Sequence, residues 1–203
     1  MNLEVKPKLK GRQHFDEKYI KVKGKDCYDL NCIDHKTKYI TAHLFVEKRT
    51  LIKCVEFLRQ IKINCYEQIL NQYHQKKRII FVCDKFGNYR RAFNKLFFRV
   101  ATLRFGVPIK AKIGGLKHNN NAIERYNGKL KDRLKIMRGG FRSIRKARHF
   151  LNLKRIINNF VNPHLQLQGK TPAEAAEIDL QLGRNKLLNI IKKRAKKRHH
   201  SLR

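Results

Sequence analysis

Up to residue 46 apolar and polar residues alternate, and beyond it the apolar positions fall mostly at helical spacing. Residues 15–24 read as a strand through Tyr19, Ile20 and Val22, with a turn at Gly24-Lys25. Residues 26–34 and 39–46 read as two more strands, joined at His35-Lys36-Thr37, and three such strands with short turns predict an antiparallel meander. Thr50 then caps a helix expected to about Cys65, because Leu51, Cys54, Val55, Leu58 and Ile61 recur at helical spacing. Residues 66–77 are polar and read as a helix extension and loop. The continuous run Arg78 to Cys83 predicts a buried central strand that ends at Asp84. Gly87 closes the next turn, and a helix over Tyr89–Leu103 would present Phe93, Leu96, Phe97 and Val100 to the core. Pro108–Ile113 reads as a fifth strand, ended by Gly114-Gly115. A nearly all-polar helix is expected over Asn120–Met137. Another follows over Ser143–Phe160, with Ala147, Phe150, Leu151, Leu153, Ile157 and Phe160 as its apolar stripe and Pro163 as its stop. Thr171-Pro172 starts a short helix, and residues 184–203 form a basic tail with helical character. This order predicts an α/β fold: a five-stranded mixed sheet, three antiparallel strands and then two further strands, flanked by helices.

Charge adds a partner to this picture. Lys plus Arg number 49 against 15 Asp plus Glu, a formal net charge of +34 spread over the whole chain. A chain this basic repels itself unless it meets a polyanion, and nucleic acid is the expected one, because each neutralised phosphate releases a counterion. An anionic membrane surface is the other polyanion. No run of about 18 uncharged apolar residues occurs, so no membrane span is expected. Met1 to Lys10 lacks the apolar core of a secretory signal. The cysteines, Cys27, Cys32, Cys54, Cys65 and Cys83, are odd in number and show no zinc-finger spacing, so buried, reduced thiols of a cytosolic protein are expected.

Acids are so few that each can be weighed by itself. From Gln68 through Ala173 they are Asp84, Glu124 and Asp132, with nine Lys or Arg between Asp84 and Glu124. Asp84 ends the buried strand, at the edge where open sheets hold their ligands; alone it also reads as a turn or helix cap. Glu124 opens the polar helix, and alone it also reads as a solvated surface residue. Asp16 lies on the first strand, and Glu17 beside it points to the opposite face. The order of elements would set Asp16 and Asp84 on adjacent central strands, with the helix of Glu124 packed across the sheet edge. Three converging carboxylates repel one another unless hard divalent cations such as Mg²⁺ neutralise them. Two such ions suit an in-line displacement at phosphorus.

With their neighbours these acids form the segments His14-Phe15-Asp16-Glu17-Lys18-Tyr19, Cys83-Asp84-Lys85-Phe86-Gly87-Asn88 and His118-Asn119-Asn120-Asn121-Ala122-Ile123-Glu124-Arg125. There follow Lys129-Leu130-Lys131-Asp132-Arg133, Met137-Arg138-Gly139-Gly140-Phe141, Asn158-Asn159-Phe160-Val161-Asn162-Pro163-His164 and Gly169-Lys170-Thr171-Pro172-Ala173-Glu174. In this order, from about His14 to Leu180, the chain resembles the DDE domains of bacterial and archaeal insertion-sequence transposases, relatives of retroviral integrases. The resemblance implies a ribonuclease H-like fold and a DNA transposase. Water would cleave a phosphodiester at the element's end, and the freed 3′-hydroxyl would then attack target DNA. It further implies Asp16, Asp84 and Glu124 as the catalytic triad and as ligands of two Mg²⁺ or Mn²⁺ ions, with no Ser, Tyr or Cys nucleophile. Lys131, seven positions after Glu124 and so on the same helix face, would reach the phosphate beside the scissile bond. Asn121 and Arg125 read as DNA contacts or as ordinary helix-surface polarity. His118 orients a phosphate or caps the helix. The implied partners are the element's ends and the target DNA, met as a homodimer or larger oligomer in a prokaryotic cytoplasm, at the nucleoid.

The expected organisation is a short N-terminal arm over 1–13, a catalytic domain over 14–182 and a basic tail over 183–203. Family members usually carry an N-terminal recognition module, and about 15 residues before Asp16 are too few for one. The interval from Asp84 to Glu124 is also longer than in the closest subfamily. A truncated, inactive remnant that only binds DNA is therefore an alternative. Another is a different ribonuclease H-like nuclease, such as a junction resolvase. A non-catalytic ribosomal or chromatin-type protein would explain the charge but not the isolated acids. Lys192 to Arg198 adds phosphate contacts or forms a solvated end.

Overall fold

In the computed structural model, which describes residues 6–106, 121–136 and 140–200, strand β1 (Gln13–Val22) turns directly into β2 (Lys25–Asp34). Lys23 and Gly24 make the turn with φ of 49° and 76°, the two-residue geometry that matches strand twist. β2 pairs antiparallel with β3 (Ile40–Val46). After α1 (Leu51–His74), β4 (Ile80–Cys83) lies parallel to β1. After α2 (Gly87–Phe97), β5 (Thr102–Phe105) lies parallel to β4. The sheet is mixed and five-stranded, in the order β3-β2-β1-β4-β5 with β1 at its centre.

Alternation along β1 sends its side chains to two faces. Phe15 enters a core with Leu30, Phe57, Leu58, Phe81, Phe93 and Phe97, where α1 and α2 cover the sheet. Its ring meets Tyr89 edge-on at 5.0 Å. Ile20 and Val22 face the other way, packing with Phe45, Leu130, Ala147 and Leu151 beneath α3 (Asn121–Ile136) and α4 (Ile144–Ile156). A third cluster joins Tyr39, Phe160, Ala173 and Ile190, and so ties in α5 (Pro172–Ala175) and α6 (Lys186–His200). β4 accompanies β1 only at Gln13 and His14, and the far end of β1 is paired instead through Phe141, which bridges Val22 in parallel. Gly140 makes that approach possible: its φ is 71°, and a Cβ there would sit 2.9 Å from the Lys21 carbonyl oxygen.

Several expected boundaries are corrected. The helix expected over Tyr89–Leu103 stops at Phe97, and residues 102–105 form the fifth strand. Phe97, Val100 and Leu103 keep helical spacing, but Arg99 takes a left-handed φ of 69° that breaks the helix. β5 is a half-exposed edge strand, so no buried alternation betrays it. The strand expected over Pro108–Ile113 lies outside the described residues. The extension expected after Cys65 is present: α1 runs to His74, because Cys65 and Ile69 keep its buried stripe going, and a loop follows. The helix expected to Phe160 is α-helical to Ile156 and continues as a π-turn over Ile157–Val161. That wider turn carries Asn159, whose amide donates to the Ile40 carbonyl at 3.1 Å and accepts from the Ile40 N–H at 3.0 Å, pairing the open edge of β3. Thr171 caps α5 in a reciprocal capping box with Glu174, with Pro172 as the first helical residue. All five cysteines are buried and free, and burial pushes the Cys54 and Cys65 thiols up to about 12, far from nucleophilic. No described helix is long and apolar enough to cross a membrane.

Candidate active site

The sheet places the acids in turn. Asp16 sits on β1, on the face beneath α3. Asp84 directly follows β4, the parallel neighbour of β1. Its carboxylate accepts from the Phe86 N–H at 3.2 Å, so it opens α2 as well as facing the site. α3 brings Glu124, Asn127 and Lys131 to the same place, because positions three, four and seven apart share a helix face. The result is one cleft of about 660 Å³ with Asp16, Asp84 and Glu124 in its wall and Lys18, Lys85 and Lys131 around them.

Burial raises the Asp16 carboxyl to about 6 from 3.8; the Asp84 and Glu124 charges add to the rise, against a backbone hydrogen bond and the Asn127 amide. Asn127 donates to Asp16 Oδ2 at 3.3 Å, and its own buried Oδ1 has no hydrogen-bond partner among the described residues. Lys18 is held below its ordinary value by burial first and then by Lys131, which sets two ammonium groups over the same cleft.

Sequence reasoning assigned Glu17 to the opposite face and gave it no part. Its carboxylate accepts from the Tyr89 hydroxyl at 2.8 Å and pairs with Arg49. The Arg49 guanidinium in turn lies over the rings of Phe86 at 4.3 Å and Tyr28 at 4.7 Å. Even so, one oxygen each of Asp16, Glu17 and Asp84 lie within 4.8 Å of one another. β4 leaves β1 after His14, so no strand separates the two faces beside Glu17. Glu124 lines the cleft and acts on Asp16 through its charge, but it stands outside that tightest group. Nothing in the pattern of residues marked Arg49, Tyr89 or Asn127, since their partners come from segments distant in sequence.

The remaining expected site residues divide. Lys131 is in the acid cleft. Asn121 and Arg125 are exposed and line a separate pocket on the adjacent side of α3. His118 lies outside the described residues.

A family model described as a DDE domain matches residues 11–164, and the chain belongs to that family, as a DDE transposase-type domain. A chain of the simian T-cell lymphotropic virus intasome, solved in complex with PP2A regulatory subunit B56 gamma, is similar with a TM-score of 0.58 at 13% identity. The match covers 87% of this chain and 58% of that one. The HTLV-2 integrase catalytic core domain in complex with magnesium gives 0.49 at 14% identity, over 82% of this chain and 95% of that one. The catalytic domain of the Mos1 mariner transposase gives 0.43 at 15%, over 71% and 69%. At such identities the likeness is one of fold, and with the family match it makes the fold ribonuclease H-like. No curated protein sequence matches the chain.

Proposed function

We propose that this domain cleaves and joins DNA strands as the catalytic part of an insertion-sequence transposase, with Asp16, Asp84 and Glu124 as its catalytic acids. One observation carries the reading: acids from β1, the end of β4 and α3 share a lysine-rimmed cleft in a chain of net charge +34. The donors fit divalent cations, since they are all oxygen: Asp16 and Asp84, together with Glu17, offer atoms within 4.8 Å of one another, Glu124 lines the same cleft, and the Asn127 Oδ1, without a partner among the described residues, lies beside them. Asp16, Asp84 and Glu124 would hold Mg²⁺ or Mn²⁺, two ions in the full site. When bound, such ions supply charge stabilisation for the entering and leaving oxygens of an in-line displacement.

The chain's own groups do the rest. Lys131 and Lys18 hold the phosphate oxygens as point charges, and Lys131 faces the phosphate next to the scissile bond. Asn127 fixes the rotamer of Asp16. Arg49 and Tyr89 engage Glu17, which still keeps one oxygen within 4.8 Å of Asp16 and Asp84 in the same cleft. Water displaces one strand at phosphorus, and the released 3′-hydroxyl then attacks a target phosphodiester, with inversion at each step and no covalent enzyme intermediate. The family reading extends the catalytic unit over residues 14–182, with DNA ends and target as partners, a dimer or larger assembly, and a prokaryotic cytoplasm as the setting.

The test incubates purified protein with pre-cleaved duplex ends, plasmid target and Mg²⁺ or Mn²⁺, beside Glu124→Gln. Joined products that disappear in the variant support a working transposase domain. DNA binding without cleavage or joining by the parent overturns the catalytic reading and leaves the family standing.

A further inference from the structure

α3 has two working sides. Its acid-bearing side closes the cleft already described, while Asn121, Arg125 and Lys129 turn to a second pocket of about 290 Å³. The wall opposite is built from distant segments: His35 and Lys38 from the β2–β3 turn, and His164 from the chain after the π-turn. Among the described residues, no acidic side chain lines it. The carboxylate that offsets Lys38 and His35 is Asp34, and its oxygens are already engaged by the N–H groups of Lys10, Gly11, Lys36 and Thr37 and by the Gln13 amide.

Cationic side chains from two separate elements, Lys38 and the α3 pair Arg125 and Lys129, gather here beside His35 and His164, with no acidic neighbour among the described lining residues. Their charges act on His164, which burial, then Lys129, Lys38 and Arg125, hold below its ordinary value. The buried His164 Nδ1 also has no hydrogen-bond partner among the described residues. Such a lining suits an anion, which would offset the like charges and could accept from His164. Its volume is at the small end of ligand pockets, ~300–1,000 Å³, which suits a phosphate and part of its sugar better than a stretch of duplex.

We propose that the pocket formed by Lys38, Arg125, Lys129 and His164 is a second phosphate anchor, which grips the DNA backbone on one side of α3 while the acids act on the other. The inference rests on the transposase reading for its choice of DNA. Because one rigid helix feeds both sites, the grip would fix the register of the strand relative to the acids. Lys131 has no part in it, since it lies in the acid cleft.

The test measures binding of a 30-base-pair duplex by fluorescence anisotropy over a range of NaCl. Two pocket variants from different elements are used, Arg125→Gln/Lys129→Gln and Lys38→Gln/His164→Gln. Arg91→Gln/Lys95→Gln, from the exposed face of α2, is the control, matched in charge to the first pocket variant and one charge more severe than the second, and thermal melts confirm that each variant folds. Both pocket variants are expected to bind roughly three- to tenfold more weakly, with a salt slope lower by about 1, the signature of one lost phosphate contact. The control is expected to change neither as much. Equal losses in pocket and control variants, or a parent that does not bind the duplex, overturn the anchor. The catalytic reading is scored separately: Asp84→Asn must lose cleavage while binding like the parent. Cleavage that survives in Asp84→Asn condemns that reading without touching the pocket.

Discussion

Asp16 and Glu17 are adjacent in sequence, both buried, and on opposite faces of the same strand, yet the molecule treats them differently. On the α1–α2 side Glu17 is answered by Arg49 and by the Tyr89 hydroxyl, and the rings around them finish the aromatic core. On the α3 side Asp16 receives one long amide contact from Asn127 and faces two further acids across a cleft. A buried charge costs several kcal/mol unless something compensates it. Arg49 and Tyr89 offset only part of the cost at Glu17, whose carboxyl burial still raises to about 7, while Asp16, held by a backbone hydrogen bond and the Asn127 amide, is raised by burial to about 6. Both carboxylates line the same cleft; Glu17 is the one with an ion pair, and Asp16 is the one proposed for the chemistry.

The largest expected effect follows from the Asp16 side. Asp16→Asn and Asp84→Asn should each reduce strand cleavage by roughly a thousandfold or more, while duplex affinity stays within about twofold. Gel-resolved cleavage beside an anisotropy titration checks this, and a variant that cuts like the parent removes the assignment. At Glu17 the order reverses. Arg49→Met leaves Glu17 buried without its ion pair and should lower stability by roughly 1–3 kcal/mol in urea melts. Glu17→Gln, which keeps the shape and drops the charge, should cost less stability and reduce cleavage by no more than about tenfold. Should Glu17→Gln abolish cleavage as completely as Asp16→Asn, Glu17 belongs to the catalytic acids and the contrast between the faces disappears.

Titration tests the two carboxylates together. Burial and neighbouring acids raise Asp16 to about 6 and Glu17 to about 7, so the folded protein holds these protons more tightly than the unfolded chain does. Their contribution to stability is therefore full below about pH 4 and is lost as pH rises through 6 to 7. Metal-free protein should show a larger fall in Tm from pH 5 to 7.5 than Asp16→Asn does, and Mg²⁺ should restore Tm at pH 7.5 but not at pH 5. Parallel pH profiles for parent and variant would mean that Asp16 does not carry the penalty.

What the sequence disclosed and what it hid divide along physical lines. Strand alternation in β1 to β3 and the unbroken run before Asp84 were legible because burial on a regular element imposes a period. The isolation of Asp84 and Glu124 in a basic chain made them stand out before any geometry was known. β5 was hidden, since an edge strand of half-exposed residues imposes no pattern, and Phe97, Val100 and Leu103 imitated a helix. Two segments carrying the family resemblance proved to include structural parts: Asn159 pairs the edge of β3, and Thr171 caps α5. Arg49 and Asn127 were illegible because their meaning lies in partners 32 and 111 positions away.

The smallest effect tests the rim of the cleft. Lys131 is exposed and shares the cleft with Lys18, whose ammonium is depressed by burial first and then by the charge of Lys131. A phosphate between them relieves that repulsion, so removing one lysine also removes part of the cost borne by the other. Lys131→Gln should therefore weaken duplex binding by only about three- to fivefold and lower the salt slope by less than about 1, with cleavage at saturating DNA falling no more than about tenfold. Lys18→Gln should behave alike, and the double variant should lose more than the product of the two, because neither member of the pair would remain to take over the phosphate. Strictly multiplicative losses would mean that the two lysines meet different phosphates, and the rim would then be two contacts rather than one clamp.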